Sequence, residues 1–331
     1  MAIPSIIEIV PPLAGFHAEL SIPGSKSITN RALVAAALRE GPSVLEGALW
    51  SEDTQVMVDC LRTLGYQVEV RPDGDEPANR TIIITGKAVV PAGGTSARPT
   101  ELFVGNAGTA ARFLCALACL GSGCYRLAGV PRMHERPQAE LFAALRQLGY
   151  RVDSENDRLP AIIHGAGPKP GASCTVSVRE SSQFASALLL AAGKGGWKVD
   201  VAGKNSEETP YIHMTRELVE AFNASQGRGP TRFEVEPDAS SASYFVAAQY
   251  LLSSARRLNT DIGLRRSAST DWQVDSRFGA FLPLPEVVSR AKHLGDSILT
   301  AMIAAPFSNY SVNFIDLSRL RVQECDRVSA M

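Results

Sequence analysis

Several short stretches of this sequence carry side chains able to handle small anions and protons. Pro23-Gly24-Ser25-Lys26-Ser27, with Arg31 one turn further on, places two hydroxyls and two cations at the start of an apolar run. Gly105–Arg112 repeats the arrangement, with Gly108 one turn before Arg112. The amino-terminal end of a helix gathers unpaired N–H groups and the positive end of the dipole, so helices starting here would suit a phosphate or carboxylate. Arg132-Met133-His134-Glu135-Arg136-Pro137 sets two arginines before another helix, and Glu180-Ser181-Ser182-Gln183 offers hydroxyl and amide groups before a third apolar run. Each stretch also has a plainer reading: Ser-x-Ser is a common cap, and a loop arginine commonly pairs with a surface acid. Asp296 opens an apolar helix, where it is either a cap or, beside cationic sites, a candidate base. Glu324 and Arg327 are spaced for an ordinary i,i+3 ion pair.

Other chemical templates fail. Gly24-Ser25-Lys26-Ser27 has a residue between glycine and lysine, so it is not a nucleotide-binding Gly-Lys-Ser/Thr loop, and Gly121-Ser122-Gly123 lacks the third glycine of a dinucleotide fingerprint. The five histidines are too scattered for a local metal motif, and His134 reads as an ordinary loop residue.

The elements that must position these groups recur along the chain. Leu61-Arg62-Thr63-Leu64-Gly65-Tyr66-Gln67-Val68 returns 84 residues later as Leu145-Arg146-Gln147-Leu148-Gly149-Tyr150-Arg151-Val152. A charged loop and a strand follow each copy, Ile82–Gly86 and Ala161–Gly165. Val56, Cys60, Leu61 and Leu64 form one helical stripe; Leu141, Leu145 and Leu148 form its counterpart, with Pro137 suited to the first turn. Gly65 and Gly149 end these helices. Upstream of each lies an alanine- and leucine-rich helix, Ala32–Leu38 and Phe113–Leu120, with a third at Phe184–Ala192. Their nearly uniform apolarity predicts burial on all sides, with their polar starts facing something shared. The chain therefore reads as a βαβαββ module used about three times, followed by two less regular copies. Segments 71–80, 153–158, 168–173 and 223–230 read as surface loops, 254–295 is poorly patterned, and a hinge is expected near Thr231–Pro237.

A length of 331 residues suggests two domains, and 45% hydrophobic residues is ample for large cores. With 33 basic against 34 acidic residues, no general positive field exists to hold a nucleic acid. The six cysteines form no paired framework and read as thiols in a reducing compartment. No apolar run approaches the ~18 residues of a membrane span, and the start lacks signal-peptide and transit-peptide features. The expectation is a cytoplasmic protein.

Taken together, Pro23–Arg31, Leu102–Arg112, Arg132–Pro137, Ser181–Gln183, Pro210–Ile212, Glu236–Tyr244 and Arg321–Arg327 resemble the 5-enolpyruvylshikimate-3-phosphate (EPSP) synthase family, and they fall in the family's order over nearly the whole chain. The resemblance implies an α/β fold of two similar domains built from βαβαββ repeats, an inside-out α/β barrel, with the active site between them. It implies one domain of three repeats over 23–233 and a second formed by 1–22 plus 234–331. The implied reaction transfers the enolpyruvyl group of phosphoenolpyruvate to the 5-hydroxyl of shikimate 3-phosphate, with no cofactor or metal, in a monomer. By resemblance, Lys26, Ser27, Arg31, Ser181, Ser182, Gln183, Asp296 and Gln323 hold shikimate 3-phosphate. Lys26, Asn106, Gly108, Arg112, Arg136, Gln183 and Arg327 surround phosphoenolpyruvate. Asp296 takes the hydroxyl proton, Glu324 exchanges a proton at the methylene carbon, and Lys26 joins them as a catalytic group. Gly108 leaves room for the inhibitor glyphosate.

The chain departs from the family at three places: Gln323 stands for a lysine, Arg319 for an asparagine, and Glu208 for a serine. Arg319 can restore positive charge, whereas Glu208 would repel a phosphate. The sixth repeat expected by resemblance has no counterpart before Met331, so the second domain is expected to be incomplete and turnover by this chain weak or absent. Two alternatives accompany this reading: a non-catalytic ligand-binding homologue, and an enolpyruvyl transferase acting on UDP-N-acetylglucosamine. Ser181-Ser182-Gln183 and the Arg-Val-x-Glu-x-x-Arg signature argue against the latter.

Overall fold

The computed structural model describes residues 6, 8, 10, 15–74, 76–87, 90, 92–203, 209–224, 230–254, 260–321 and 325–331. Strand β1 (His17–Leu20) leads into helix α1 (Lys26–Leu38), β2 (Gly41–Leu49), α2 (Glu52–Thr63), β3 (Gln67–Pro72) and β4 (Asn79–Gly86). The next unit is β5 (Thr100–Phe103), α3 (Gly108–Cys119), β6 (Ser122–Ala128), the short α4 (Pro131–Glu135), α5 (Ala139–Gln147), β7 (Arg151–Asp153) and β8 (Ala161–Ala166). A third comprises β9 (Ser173–Ser177), α6 (Ser182–Gly195), β10 (Lys198–Ala202) and α7 (Thr209–Ala224), followed by β11 (Thr231–Glu234).

The repeat is visible in the sheets. The second unit orders its strands β5-β6-β8-β7, and the first orders β11-β2-β4-β3; each has one parallel and two antiparallel pairings. In the first sheet the outer parallel strand comes from Thr231–Glu234, so the end of this region folds back to complete its beginning. The third unit pairs β9 with β10 alone among the described residues, in parallel. Helices α2 and α5 both stop at glycines with positive φ, +87° at Gly65 and +84° at Gly149, a conformation in which a Cβ would be strained.

The inside-out arrangement follows from composition. All twelve residues of α3 are buried, as are most of α1 and α6, and these three helices touch one another in the interior. A helix apolar on every side can only sit inside. Helix α2 instead has an apolar stripe facing in and Asp59, Arg62 and Thr63 facing out. The Ser51 N–H donates to the Thr54 hydroxyl at its start (2.9 Å). One local expectation shifts: Pro137 lies two residues ahead of α5, whose cap is Gln138, and it is Pro131 that occupies a first turn, in α4.

The chain then forms α8 (Ala239–Ser254), β12 (Asp261–Leu264), a 3-10 turn over Val274–Phe281, β13 (Val287–Ser289), α9 (Ile298–Ala304), β14 (Asn313–Ile315) and α10 (Arg327–Ala330). Strand β1 pairs in parallel with β12, and β13 with β14. A separate apolar cluster gathers Phe278, Leu284, Val288, Leu294, Ile298, Ala301 and Leu320. The weakly patterned 254–295 stretch thus contributes to both strand pairs; its Arg265 and Arg266 make exposed ion pairs with Glu19 and Glu234.

The two regions are joined by two passes of chain. Ser25 N–H donates to Glu236 O (2.8 Å), and Asp238 N–H to Pro23 O (2.8 Å). Gly24 is needed here because an added Cβ would lie 2.0 Å from Gly47 O. The buried Glu236 carboxylate accepts from the backbone and hydroxyls of Ser269 and Thr270, tying the loop of one region to the crossing strand. Among the described residues no helix is long and apolar enough to cross a membrane.

Candidate active site

Three buried helices bring their polar starts to one place. At α1, Lys26 Nζ lies 3.2 Å from Asp53 Oδ2 and Ser27 faces the cavity beside it. Arg31 reaches back along the helix: Nη1 donates to Ser27 O (2.9 Å), Nε to Thr215 Oγ1 (2.8 Å) and Nη2 to Ser186 Oγ (3.0 Å). It therefore locks α1 to α6 and α7 while still lining the cavity. At α6 the Ser181 hydroxyl accepts from Gln183 N–H (3.2 Å), so Ser181 is a helix cap, as the plainer reading had it, and also a cavity residue. Gln183 Nε2 extends towards Thr109 Oγ1, 3.5 Å away.

At α3 the glycine makes room. A Cβ on Gly108 would lie 2.6 Å from Arg136 Nη2 and 2.7 Å from Arg112 Nη1. Arg112 is buried, with Nη1 on Gly108 O (3.0 Å) and Nη2 on Pro137 O (2.8 Å). Arg136 Nη1 donates to Asn106 O (3.0 Å) and its guanidinium faces the cavity. Arg112 and Asn106 do not line the cavity themselves; they hold the backbone and the arginine that do. Arg132 pairs with Glu135 on the surface (2.6 Å), the ordinary fate of a loop arginine. His134 accepts from Gly129 N–H (3.1 Å), a turn-holding role.

The opposite wall comes from the other region. Asp296 sits two residues ahead of α9 rather than in it; Ser297 occupies the cap position. One carboxylate oxygen receives Arg290 Nη2 (3.2 Å) and the other Arg327 Nη1 (3.2 Å). Burial alone would raise the Asp296 pKa, but the two guanidiniums override it and hold the carboxyl below its usual range. The base of this wall is Asp275, whose Oδ1 accepts from Gly295 N–H (2.7 Å), Ser297 N–H (3.2 Å) and Ser297 Oγ (2.5 Å). Its burial pushes that carboxyl above the usual value, only partly offset by those bonds. Arg319 donates to Glu180 O, bridging the regions across the mouth.

One cavity is lined by Lys26, Ser27, Arg31, Gly108, Arg136, Ser181, Ser182, Gln183, Asp296 and Arg327, ten of the residues expected from the sequence. Asp53, Thr109, Tyr211, Arg290 and Arg319 line it too. Six cations thus face two carboxylates, a surplus suited to ligands carrying several negative charges. A wider cleft continues from Lys26, Ser27, Tyr211, Asp296 and Arg327 past Asp238, Ser240, Ser241 and Trp272. Gln323, Glu324 and Glu208 lie outside the described residues. Arg290, Asp275 and Thr109 carried no local sign in the sequence, because Arg290 and Asp275 fall in the weakly patterned segment and Thr109 follows Gly108 as an ordinary first-turn residue.

Comparison with known proteins gives the family and the fold. The family profile described as EPSP synthase (3-phosphoshikimate 1-carboxyvinyltransferase) matches residues 12–260. The chain is similar to the 3-phosphoshikimate 1-carboxyvinyltransferase of Pseudomonas syringae pv. tomato, 36% identical over 99% of this chain and 78% of that protein. It is 35% identical to the one from Rhizobium etli, over 98% of this chain and 78% of the relative. The solved EPSP synthase of Acinetobacter baumannii shares the fold with a TM-score of 0.69 at 18% identity, covering 97% of this chain and 78% of that one. With the motifs in order, the repeat-built fold and relatives above 30% identity, this chain belongs to the EPSP synthase family.

Proposed function

We propose that the protein transfers the enolpyruvyl group of phosphoenolpyruvate to the 5-hydroxyl of shikimate 3-phosphate and releases phosphate. The observation that carries this reading is the convergence of Lys26, Arg136, Ser181, Ser182, Asp296 and Arg327 on one cavity, from elements far apart in the chain. In it, Ser27, Arg31, Ser181, Ser182 and Gln183 hold shikimate 3-phosphate; Gln323, outside the described residues, is assigned to the same ligand by resemblance alone. Lys26, Arg136, Gln183 and Arg327 hold phosphoenolpyruvate, with Asn106, Gly108 and Arg112 shaping that side. Two polyanions repel in water; clustered cations remove that cost and charge-assisted bonds fix the approach.

Asp296 accepts the proton of the 5-hydroxyl as its oxygen bonds to the central carbon of phosphoenolpyruvate, while Glu324 or Lys26 delivers a proton to the methylene carbon. The tetrahedral adduct then returns a methyl proton to Glu324 as the carbon–oxygen bond to phosphate breaks and phosphate leaves. Asp296 is ionised at neutral pH, as a base must be, but its paired arginines weaken it. Turning Arg327 to the phosphoenolpyruvate anion restores its basicity at the moment it is needed.

The same reading has residues 23–233 as one domain and the flanking segments as the other, in a cytoplasmic monomer; sedimentation tests the last point. The test of function is calorimetry with shikimate 3-phosphate, then with phosphoenolpyruvate added, followed by a phosphate-release assay. The expected result is shikimate 3-phosphate binding that strengthens phosphoenolpyruvate binding, with slow phosphate release, in keeping with the weak turnover expected from the sequence. Binding without release would favour a ligand-binding homologue, and preference for UDP-N-acetylglucosamine would replace the acceptor.

A further inference from the structure

We propose that Arg290 is a positioning residue for Asp296, holding one carboxylate oxygen in place while Arg327 leaves the other to meet phosphoenolpyruvate. This rests on the transferase reading above.

The two arginines on Asp296 are not equivalent. Arg290 reaches Oδ1 from a side chain only 2% exposed, whereas Arg327 reaches Oδ2 from one that is 24% exposed, at the start of a one-turn helix. Arg290 directly follows β13, and its backbone N–H donates to Ile315 O (3.2 Å). The neighbouring Ser289 hydroxyl donates to Asp316 (2.5 Å), and Ser289 N–H to His293 Nδ1 (3.1 Å). One guanidinium is thus buried and seated on a strand pair, while the other is partly exposed and lines both the cavity and the wider cleft. A carboxylate acting as base needs one lone pair for the substrate hydroxyl and one fixed partner to set its direction. The geometry provides both if Arg327 is the partner that moves.

Among the described residues, the charges beside Asp296 are Arg290 after β13, Arg327 from α10 and Asp275 from the 3-10 turn, with Lys26 of α1 lining the same cavity. Burial disfavours ionisation of Asp296, so the two guanidiniums must oppose it, and the Asp296 charge in turn helps to raise the Asp275 carboxyl. Without Arg290, the moment Arg327 turned away would leave a buried carboxylate beside another acid. It would then take up a proton from water rather than from the substrate.

The experiment compares the wild-type chain with R290Q and with R290M, which keeps the volume of the buried side chain and serves should R290Q not fold. Carboxyl carbon NMR, with the Asp296 signal identified by its loss in D296N, reads the ionisation without requiring turnover. The expected midpoint moves up by about one to three pH units in either variant. In steady state kcat falls at least about tenfold, its acid limb moves with the carboxyl midpoint, and KM for both substrates stays within about twofold. A folded variant with an unmoved Asp296 midpoint overturns the proposal. So does a rise in KM for phosphoenolpyruvate with kcat unchanged, which would make Arg290 a ligand of that anion. A wild-type chain that releases no phosphate, with the midpoint moving as expected, instead refutes the transferase reading and the catalytic half of this proposal with it.

Discussion

Placing a single methyl group on Gly108 tests the cationic corner of the site. In G108A the new Cβ would lie 2.6 Å from Arg136 Nη2 and 2.7 Å from Arg112 Nη1, where ordinary contact begins near 3.4 Å, so one or both guanidiniums must withdraw by about 0.8 Å. Arg112 is buried and held by two carbonyls, at 3.0 and 2.8 Å, and has little freedom. Arg136 is half-buried and bonds Asn106 O at 3.0 Å, so it is the group expected to give way. The loss of one charge-assisted contact to a bound anion is worth about 1.5–3 kcal/mol, or roughly a 10–150-fold weaker ternary Kd for phosphoenolpyruvate. The shikimate 3-phosphate ligands come mainly from α1 and α6, so its binary Kd should change by less than about twofold. Calorimetry measures both constants, and a thermal melt confirms that the fold is intact. An equal weakening of the two ligands, or no change for phosphoenolpyruvate, would refute the assignment of Arg136 to that anion.

The acceptor atom of Asp275 receives all three of its bonds on Oδ1. Asparagine can keep them, so D275N should leave the chemical-denaturation midpoint near wild type, whereas D275A should cost about 1–3 kcal/mol by stranding buried donors. Burial raises the folded Asp275 pKa above its unfolded value, so its contribution to stability is lost as pH rises through the raised value. D275N should flatten that part of the stability–pH curve; an unchanged slope would show that another group sets it. Truncating Arg31 to alanine removes the buried donor to Thr215 and one of the donors to Ser186, which Thr215 still bonds, and leaves a cavity, at a cost of roughly 2–4 kcal/mol. A denaturation midpoint unmoved in R31A would count against its bracing role. Burial pushes the thiols of Cys60 and Cys115 up to about 12 and that of Cys174 to about 11, while Cys325 is exposed. A thiol reagent at pH 8 should therefore label Cys325 first in the native protein and the buried thiols only on unfolding; fast labelling of Cys60 or Cys115 would contradict that burial.

The sequence by itself determined the repeat and the helices inside it. Apolar spacing and positive-φ glycines are local properties, so the doubled Leu61–Val68 motif, the wholly buried α3 and the turns at Gly65 and Gly149 could be read from adjacent residues. The resemblance of the ordered motifs supplied Lys26, Arg136, Ser181 and Asp296 as members of one site, and chain composition excluded a general polyanion binder. Only the tertiary structure decided who faces whom. It brought Arg290 from an unpatterned stretch onto Asp296, set Asp275 beneath α9, and placed Arg112 on the Pro137 carbonyl and Asn106 O under Arg136. It also sent Thr231–Glu234 back to complete the first sheet. Arg290 and Asp296 are only six positions apart, but in a stretch without regular periodicity; the other pairings depend on contacts between residues tens to hundreds of positions apart, which helical or strand periodicity does not encode.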